Sequence, residues 1–427
     1  MNVGIIGSGG REHAICYMLN KSKKVSKIFC FPGNAGTDLI AQNVSLDPDN
    51  FYKLEKYCME KNIKMLVVGP EKPLVNGIVD HFNDKSIKVF GPDKLSSKLE
   101  GSKIFTKKIC QENNIPTSKF KICDSLNETL DYLKNSYFPL VIKADGLASG
   151  KGVYICKNFD EAKTATEEIF KGKFGVAEQI LIEEFLDGEE MSYFIVTDGK
   201  NYKFFGSAQD HKRIGEGDTG KNTGGMGCYS PSRLLNDKLE LKIKTKIIEP
   251  TLNAINEHGG TYKGFLYVGL MIKDGEPFLI EFNVRMGDPE CQAILPRLKS
   301  DIVEIINNTT KNKLKETSIR WKKEKSMSIV LCTKGYPGNY KKNLKIDNLE
   351  NIKLEKYDKI FHAGTKFENE KYFSNGGRVL NVTSLGKSFI LIRKKILKLL
   401  KIINWKHGFY RKDIGWKEIK KNANYKW

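Results

Sequence analysis

The run Leu279-Ile280-Glu281-Phe282-Asn283-Val284-Arg285-Met286-Gly287-Asp288-Pro289-Glu290 concentrates groups suited to phosphoryl chemistry. Phe278 to Ile280 reads as a strand, and strand alternation projects Glu281 and Asn283 from one face, Phe282 and Val284 from the other. A carboxylate and an amide oxygen two residues apart suit Mg²⁺, which takes few protein ligands and completes its shell with water and phosphate oxygens. Arg285 beside them is a planar fork for a transferring phosphoryl group. The plain alternative is an edge strand with a solvated polar face and a turn at 286–289. The rest of the chain decides between them.

A second cluster starts at Pro139 to Lys143, a strand whose last residue is a lysine. It runs into the glycine-rich stretch 144–153 and a second strand, Val153 to Cys156. Two strands around a glycine tip predict a hairpin able to fold over a triphosphate, with Lys143 as a point charge on phosphate. It is no Walker loop: three residues separate Gly146 from Gly150, and Gly152 stands where Ser or Thr should bind the metal. The strand from Ile180 leads into the acidic turn Glu183 to Glu190, where a carboxylate can meet a ribose and main-chain groups an adenine edge. Asp210-His211-Lys212-Arg213 lacks a nucleophile and so is no triad. The glycines of 215–227 are expected to defeat regular structure and to form a substrate lid.

These groups need a scaffold. Val3 to Ile6, the turn Gly7-Ser8-Gly9-Gly10 and a helix opening at Arg11 form one strand-turn-helix unit. Glycines let backbone amides approach an anion there, and a helix N-terminus favours one. A dinucleotide fingerprint would need glycine where Glu12 stands and an acidic residue closing Ile28 to Phe31; neither is present, which argues against a nicotinamide cofactor. Met65 to Pro70, followed by a helix at Glu71, and Val89 to Pro92 repeat the unit. This alternation predicts a small parallel sheet with helices on both faces and ligands at the strand C-termini.

Helical periodicity spans Lys103 to Glu112 and stops at Pro116. Residues 300–325 read as helical and charged. Ser328 to Cys332 reads as the start of a separate, smaller region, with strands around 352–355 and 359–362, a turn at Gly376-Gly377 feeding a strand, and a basic amphipathic helix over 387–403.

The 427 residues exceed one domain, so two to four are expected. Net charge is +20, yet only nine of the 71 basic residues are Arg, and Lys is the weaker choice for bidentate base or phosphate recognition. Lys387 to Trp427 holds thirteen Lys and Arg against Asp413 and Glu418, more than half the net charge. A solvated face explains this run more simply than membrane or nucleic-acid binding, and basicity also steers anionic ligands. Nine single cysteines without a Cys-x-x-Cys pair fit neither a zinc site nor a disulfide framework, and fit a reducing cytoplasm. No run approaches the roughly 20 apolar residues of a membrane span, and the N-terminal apolar run is too short for a signal peptide.

The motifs at 7–14, 69–74, 143–153, 210–213, 222–227 and 281–290 together resemble the glycinamide ribonucleotide synthetase family, the phosphoribosylamine–glycine ligases. His362 to Thr365, Ser374 to Leu380 and Gly408 to Arg411 resemble its C-terminal motifs, so the likeness covers essentially the whole chain in order. It implies an α/β protein: an N-terminal Rossmann-like domain over 1–101, an α+β ATP-grasp domain over 102–325 with a mobile lid at about 117–190, and a small C-terminal domain over 326–427. The implied reaction ligates glycine to 5-phosphoribosylamine through glycyl phosphate, with ATP cleaved to ADP and phosphate, in purine synthesis.

Carried over residue by residue, the resemblance gives Glu281 and Asn283 to Mg²⁺ or Mn²⁺. It sets Lys103 and Lys143 on the ATP phosphates beneath Gly146, Ser149, Gly150, Lys151 and Gly152. Glu183, Glu184, Phe185 and Glu190 serve adenine and ribose, and Arg285, Lys143 and Asp210 act on the reacting groups. Gly9, Gly10, Arg11, Glu12, Pro70, Glu71, Asp210, Lys212, Asn222, Gly224, Gly225, Met226, Arg285 and Asp288 form the phosphoribosylamine and glycine side. Met286 stands where an aromatic residue is expected, and should fill the same apolar space. Two competing readings are another ATP-grasp enzyme, such as a carboxylase or a different ribonucleotide synthetase, with a biotin carboxylase's bicarbonate and biotin motifs absent, and a nucleic-acid-binding protein, for which no aromatic-studded basic groove is visible. A cytoplasmic monomer is expected, with no membrane or nucleic-acid partner.

Overall fold

The computed structural model describes residues 1–147, 152–175 and 178–422, so Ser149, Gly150 and Lys151 lie outside the described residues. The first hundred residues build a five-stranded parallel sheet in the order Gln42–Asn43, Lys27–Pro32, Asn2–Gly7, Ile63–Val68, Lys88–Phe90. Its strands are near-continuous apolar runs because both faces are covered.

The glycine turn after the first strand holds an anion of the chain itself. Helix Gly10–Leu19 starts with the Glu12 carboxylate folded back on it: Oε2 accepts from the Gly9 amide at 2.5 Å and Oε1 from Arg11 Nε at 2.6 Å. A Cβ on Gly69 would lie 2.1 Å from Glu12 Oε1, and one on Gly7 2.6 Å from Glu12 Cγ. The glycines therefore make room for a buried carboxylate. Gly69→Ala must displace it, and is expected to cost about 1–3 kcal/mol. An unchanged denaturation midpoint would refute this packing.

A four-stranded antiparallel sheet follows, ordered Phe120–Cys123, Ile180–Glu184, Leu140–Ala144, Val153–Cys156. The largest sheet runs Glu276–Asn283, Lys263–Lys273, Glu189–Asp198, Tyr202–Asp210, Gly227–Ser230, Lys325–Thr333, Arg378–Gly386, Asp358–His362. The short strand Gly408–Phe409 also pairs with Lys325–Thr333. The strand expected to open a separate C-terminal region is thus internal to this sheet, paired with Gly227–Ser230 on one side and Arg378–Gly386 on the other.

Three local expectations are corrected. Within 300–325 the helix is only Ile302–Thr310, closed by Asn312 in the left-handed region (φ +58°), after which Leu314 turns into the core. No strand forms over 352–355, where Leu354 is exposed and no second face is buried to fix pairing. The glycine-rich segment is not irregular throughout: Arg213–Gly215 pairs with Thr219–Asn222 as a hairpin. Its tip turns at Gly217 (φ +67°) and Asp218 (φ +59°), so the glycine serves a turn. The basic helix forms as Phe389–Ile403 and buries Phe389, Ile392, Ile396, Leu399, Leu400 and Ile403. All nine cysteines are free and buried, and Met286 is buried among Phe194, Tyr267 and Cys291.

Candidate active site

A cleft of about 670 Å³ opens where the three sheets meet. From the four-stranded sheet it receives Lys143, Gly146, Gly152, Glu183, Glu184 and Phe185; from the large sheet Glu190, Asp210, Lys212, Glu281, Asn283 and Arg285; from the N-terminal region Arg11 and Glu71.

One end of the cleft is cationic. Helix Lys103–Glu112 presents Lys103, whose Nζ donates to the Gly146 carbonyl at 2.8 Å. Asp145, just after strand Leu140–Ala144, accepts from the Ile104 amide and Ser102 Oγ, which ties that strand end to the helix. Lys143 reaches Glu183 Oε1 at 2.7 Å, and Lys107 lies 3.2 Å from Oε2. Ser118 Oγ donates to the same carboxylate at 2.6 Å. Burial opposes charge on Glu183, but the two ammonium groups outweigh it and hold its pKa below the usual carboxylate range. Burial lowers the pKa of Lys103 and of Lys107.

The strand carrying Glu281 and Asn283 crosses the middle of the cleft. Neither amide atom of Asn283 has a hydrogen-bond partner among the described residues, and the nearest cation to Glu281 is Lys212 Nζ, at 3.8 Å. Although burial opposes it, the positive field of Lys212, Lys143 and Lys103 keeps the Glu281 carboxyl below its ordinary pKa. An ionised carboxylate and a free amide oxygen are a donor set that fits a hard divalent cation shared with phosphate. Among the described residues no group of three or more His, Cys, Asp or Glu forms a closed metal cage.

The far end gathers arginines. Arg285 Nε lies 3.2 Å from Glu71 and Nη2 2.5 Å from Glu100, while Arg11 Nη1 donates to the Met286 carbonyl at 3.1 Å. Burial raises the Glu100 carboxyl to about 7, with Arg285 opposing. Glu71 is held down to about 2 by Arg285 and Arg11 against its burial. Arg378 donates to the Gly224 and Asp288 carbonyls and lies 3.5 Å from the Asp288 carboxylate. Between the two ends sits Asp210. Burial first, then the neighbouring Glu290 carboxylate, pushes its pKa well up. Lys212 bridges Glu190 at 3.0 Å to Glu281.

Not every expected residue reaches the cleft. Gly9, Gly10, Glu12, Pro70, Gly225 and Met226 do not line it. Glu12 is buried at the start of its helix. Gly225 (φ +110°) backs Asp210, 2.8 Å from where a Cβ would stand, and Met226 is core. Asn222, Gly224 and Asp288 do line the cleft. Sequence reasoning missed Lys107, Glu100, Glu290 and Arg378. Lys107 had a signal, one turn after Lys103 on the same helix face, and Glu290 closes the 279–290 run. Glu100 is set beside the site by tertiary packing, with no local signature, and Arg378 lies in the 374–380 motif, which gave it no role.

The antiparallel sheets flanking a lysine-bearing hairpin cleft, behind a parallel N-terminal sheet, make this an enzyme of the ATP-grasp architecture. Family models of phosphoribosylglycinamide synthetase match in order: the N domain over residues 1–100, the ATP-grasp (A) domain over 101–291 and the C domain over 326–417. The chain is 43% identical over 424 residues to the phosphoribosylamine–glycine ligase of Brucella melitensis, covering 99% of each. With that of Haemophilus influenzae it shares 44% over 426 residues, again 99% of each. The crystal structure of phosphoribosylamine–glycine ligase from Thermotoga maritima superposes with a TM-score of 0.84 at 33% identity, covering 97% of this chain and 100% of that one. A biotin carboxylase domain from Hydrogenobacter thermophilus (TM-score 0.72, 16% identity, 94% and 89% covered) shares the fold alone. The chain belongs to the phosphoribosylglycinamide synthetase family.

Proposed function

We propose that this protein ligates glycine to 5-phosphoribosylamine, giving glycinamide ribonucleotide, ADP and phosphate, in purine (IMP) biosynthesis. The observation that carries the reading is one cleft with lysines at one end, an arginine cluster at the other and the Glu281–Asn283 strand between them. In the first step a glycine carboxylate oxygen attacks the γ-phosphorus and ADP leaves. In the second the amine nitrogen attacks the glycyl phosphate carbonyl, the C–N bond forms, phosphate departs and the nitrogen loses a proton. Positioning and charge neutralisation supply most of the first step.

Lys103 and Lys143 would neutralise the ATP phosphates, with Gly146, Ser149, Gly150, Lys151 and Gly152 as further nucleotide-binding residues. Mg²⁺ or Mn²⁺, held by Glu281 and Asn283, would neutralise charge on the β- and γ-phosphates. Glu184, Phe185 and Glu190 would meet the nucleoside. Glu183 would act indirectly, since its carboxylate already holds Lys143 and Lys107. Arg285, Arg11 and Arg378 suit the transferred phosphoryl group and the substrate phosphate. Asp210 and Glu290 suit the glycine ammonium, which relieves the repulsion between two adjacent carboxylates. Lys212, Glu71, Asn222, Gly224 and Asp288 complete the substrate wall. The lid at about 117–190 and boundaries near 101 and 325 belong to the same reading. So does a cytoplasmic monomer; among the described residues no helix is long and apolar enough to cross a membrane.

The test is ADP release by purified protein with ATP, Mg²⁺, glycine and freshly generated phosphoribosylamine. Release needing both substrates is expected. Turnover with a different carboxylate in place of glycine would overturn the substrate assignment.

A further inference from the structure

The hairpin Arg213–Gly215/Thr219–Asn222 forms one wall of the cleft through Arg213, Asp218 and Asn222. What secures it comes from the other end of the chain. Arg411, its side chain only 1% exposed, points all of its nitrogens into this junction. Nε and Nη2 take both oxygens of Asp413 at 2.8 and 2.7 Å, and Nη1 donates to Asp218 Oδ1 and the Arg213 carbonyl, each at 2.9 Å. Asp413 also accepts the Gly217 amide at 2.8 Å, Glu216 accepts the Lys412 amide at 3.1 Å, and Lys417 pairs with Asp218 at 2.9 Å. The Gly415 amide donates to His211 Nε2 at 3.0 Å, so the His211 proton sits on Nδ1, which donates to the Gly227 carbonyl at 3.1 Å. His211 lies between Asp210 and Lys212, so the same segment steadies the strand end that carries both.

We infer that Arg411 is a positioning residue: it clamps the 213–222 hairpin over the cleft and thereby keeps water from the acyl phosphate formed there. This rests on the proposed ligase reaction. A loosened hairpin lets a water oxygen attack the glycyl carbonyl, expelling phosphate and returning glycine, so that ADP forms without amide. Lysine cannot replace Arg411, because one ammonium cannot fork onto Asp413 while reaching Asp218 and a carbonyl.

Arg411→Lys and Asp218→Asn in the full-length protein test this, the second because Asp218 is partly exposed and its loss spares the buried guanidinium. Amide hydrogen exchange over 213–222, without substrates, should be faster in both variants. With saturating substrates the ratio of ADP released to amide formed should rise about threefold or more above the wild-type ratio. A structural loss alone would lower both products together and leave that ratio fixed. Unchanged exchange would overturn the clamp, and faster exchange with an unchanged ratio would overturn its protective role. A wild type without glycine-dependent ADP release would overturn the ligase reading and, with it, the protective role; the clamp itself would still be decided by exchange.

Discussion

Glu183→Ala is expected to cost about 3–5 kcal/mol of stability, because it leaves two buried ammonium groups without a counter-charge. The side chains of Glu183, Lys143 and Lys107 are 5, 7 and 3% exposed, so water cannot solvate what the substitution uncovers. Glu183→Gln should fall between wild type and alanine, keeping an acceptor for Ser118 but no charge. The pH dependence has a definite sign. A carboxyl held below its ordinary pKa in the folded state contributes fully above the unfolded value and loses that contribution as pH falls through the folded one. Glu183 has this direction, and Glu71 shares it, from the usual 4.5 down to about 2. Through these two groups the wild type should lose stability on acidification below about pH 4.5, after the opposite contribution of Glu100, raised to about 7, has run its course between about pH 7 and 4.5, and Glu183→Ala should show a shallower acid slope than wild type. Urea midpoints at about pH 6 and about pH 3.5 measure both effects. A loss under about 1 kcal/mol, the size of an exposed ion pair, would mean that the lysines are not buried as described.

This carboxylate also marks how far sequence reasoning reached. Helix Lys103–Glu112 and strand Val153–Cys156 fall where periodicity puts them, and strands Leu140–Ala144 and Val153–Cys156 pair as read, because spacing and glycine punctuation are local properties. The likeness of the ordered motifs to one family was also legible in the chain alone, and the family models match it in order over residues 1–291 and 326–417. What a carboxylate or glycine is for was much less visible. The first glycine turn has the composition of an anion site, and its anion is Glu12, from the first turn of the helix that follows it. Glu183 and Glu184 are neighbours in sequence, yet strand alternation buries the first against two lysines and exposes the second. Glu100 and Arg378 meet Arg285 and Asp288 across 185 and 90 positions of chain, a proximity that only the assembled sheets create.

Glu281→Ala is the other large effect, and it separates metal chemistry from nucleotide affinity. Among the described residues Glu281 meets four cationic side chains electrostatically, Lys212, Lys143, Lys103 and Arg285. Removing it deletes a candidate metal ligand and at the same time makes the cleft more positive. Turnover should fall about 10³-fold or more, as when a preorganised charge at the reacting centre is lost. Metal-free ATP should bind as well as before or better, since the phosphates then meet the same lysines without a competing carboxylate. Asn283→Ala, which removes a neutral donor, should cost less turnover and leave metal-free binding unchanged. Mn²⁺ titration followed by electron paramagnetic resonance in the presence of ATP reads the metal directly, and calorimetry without metal reads the nucleotide. If Glu281→Ala kept more than a tenth of the turnover with an unaltered Mn²⁺ titration, the metal would have to be held elsewhere. Weaker metal-free ATP binding would instead make this carboxylate a direct partner of the nucleotide.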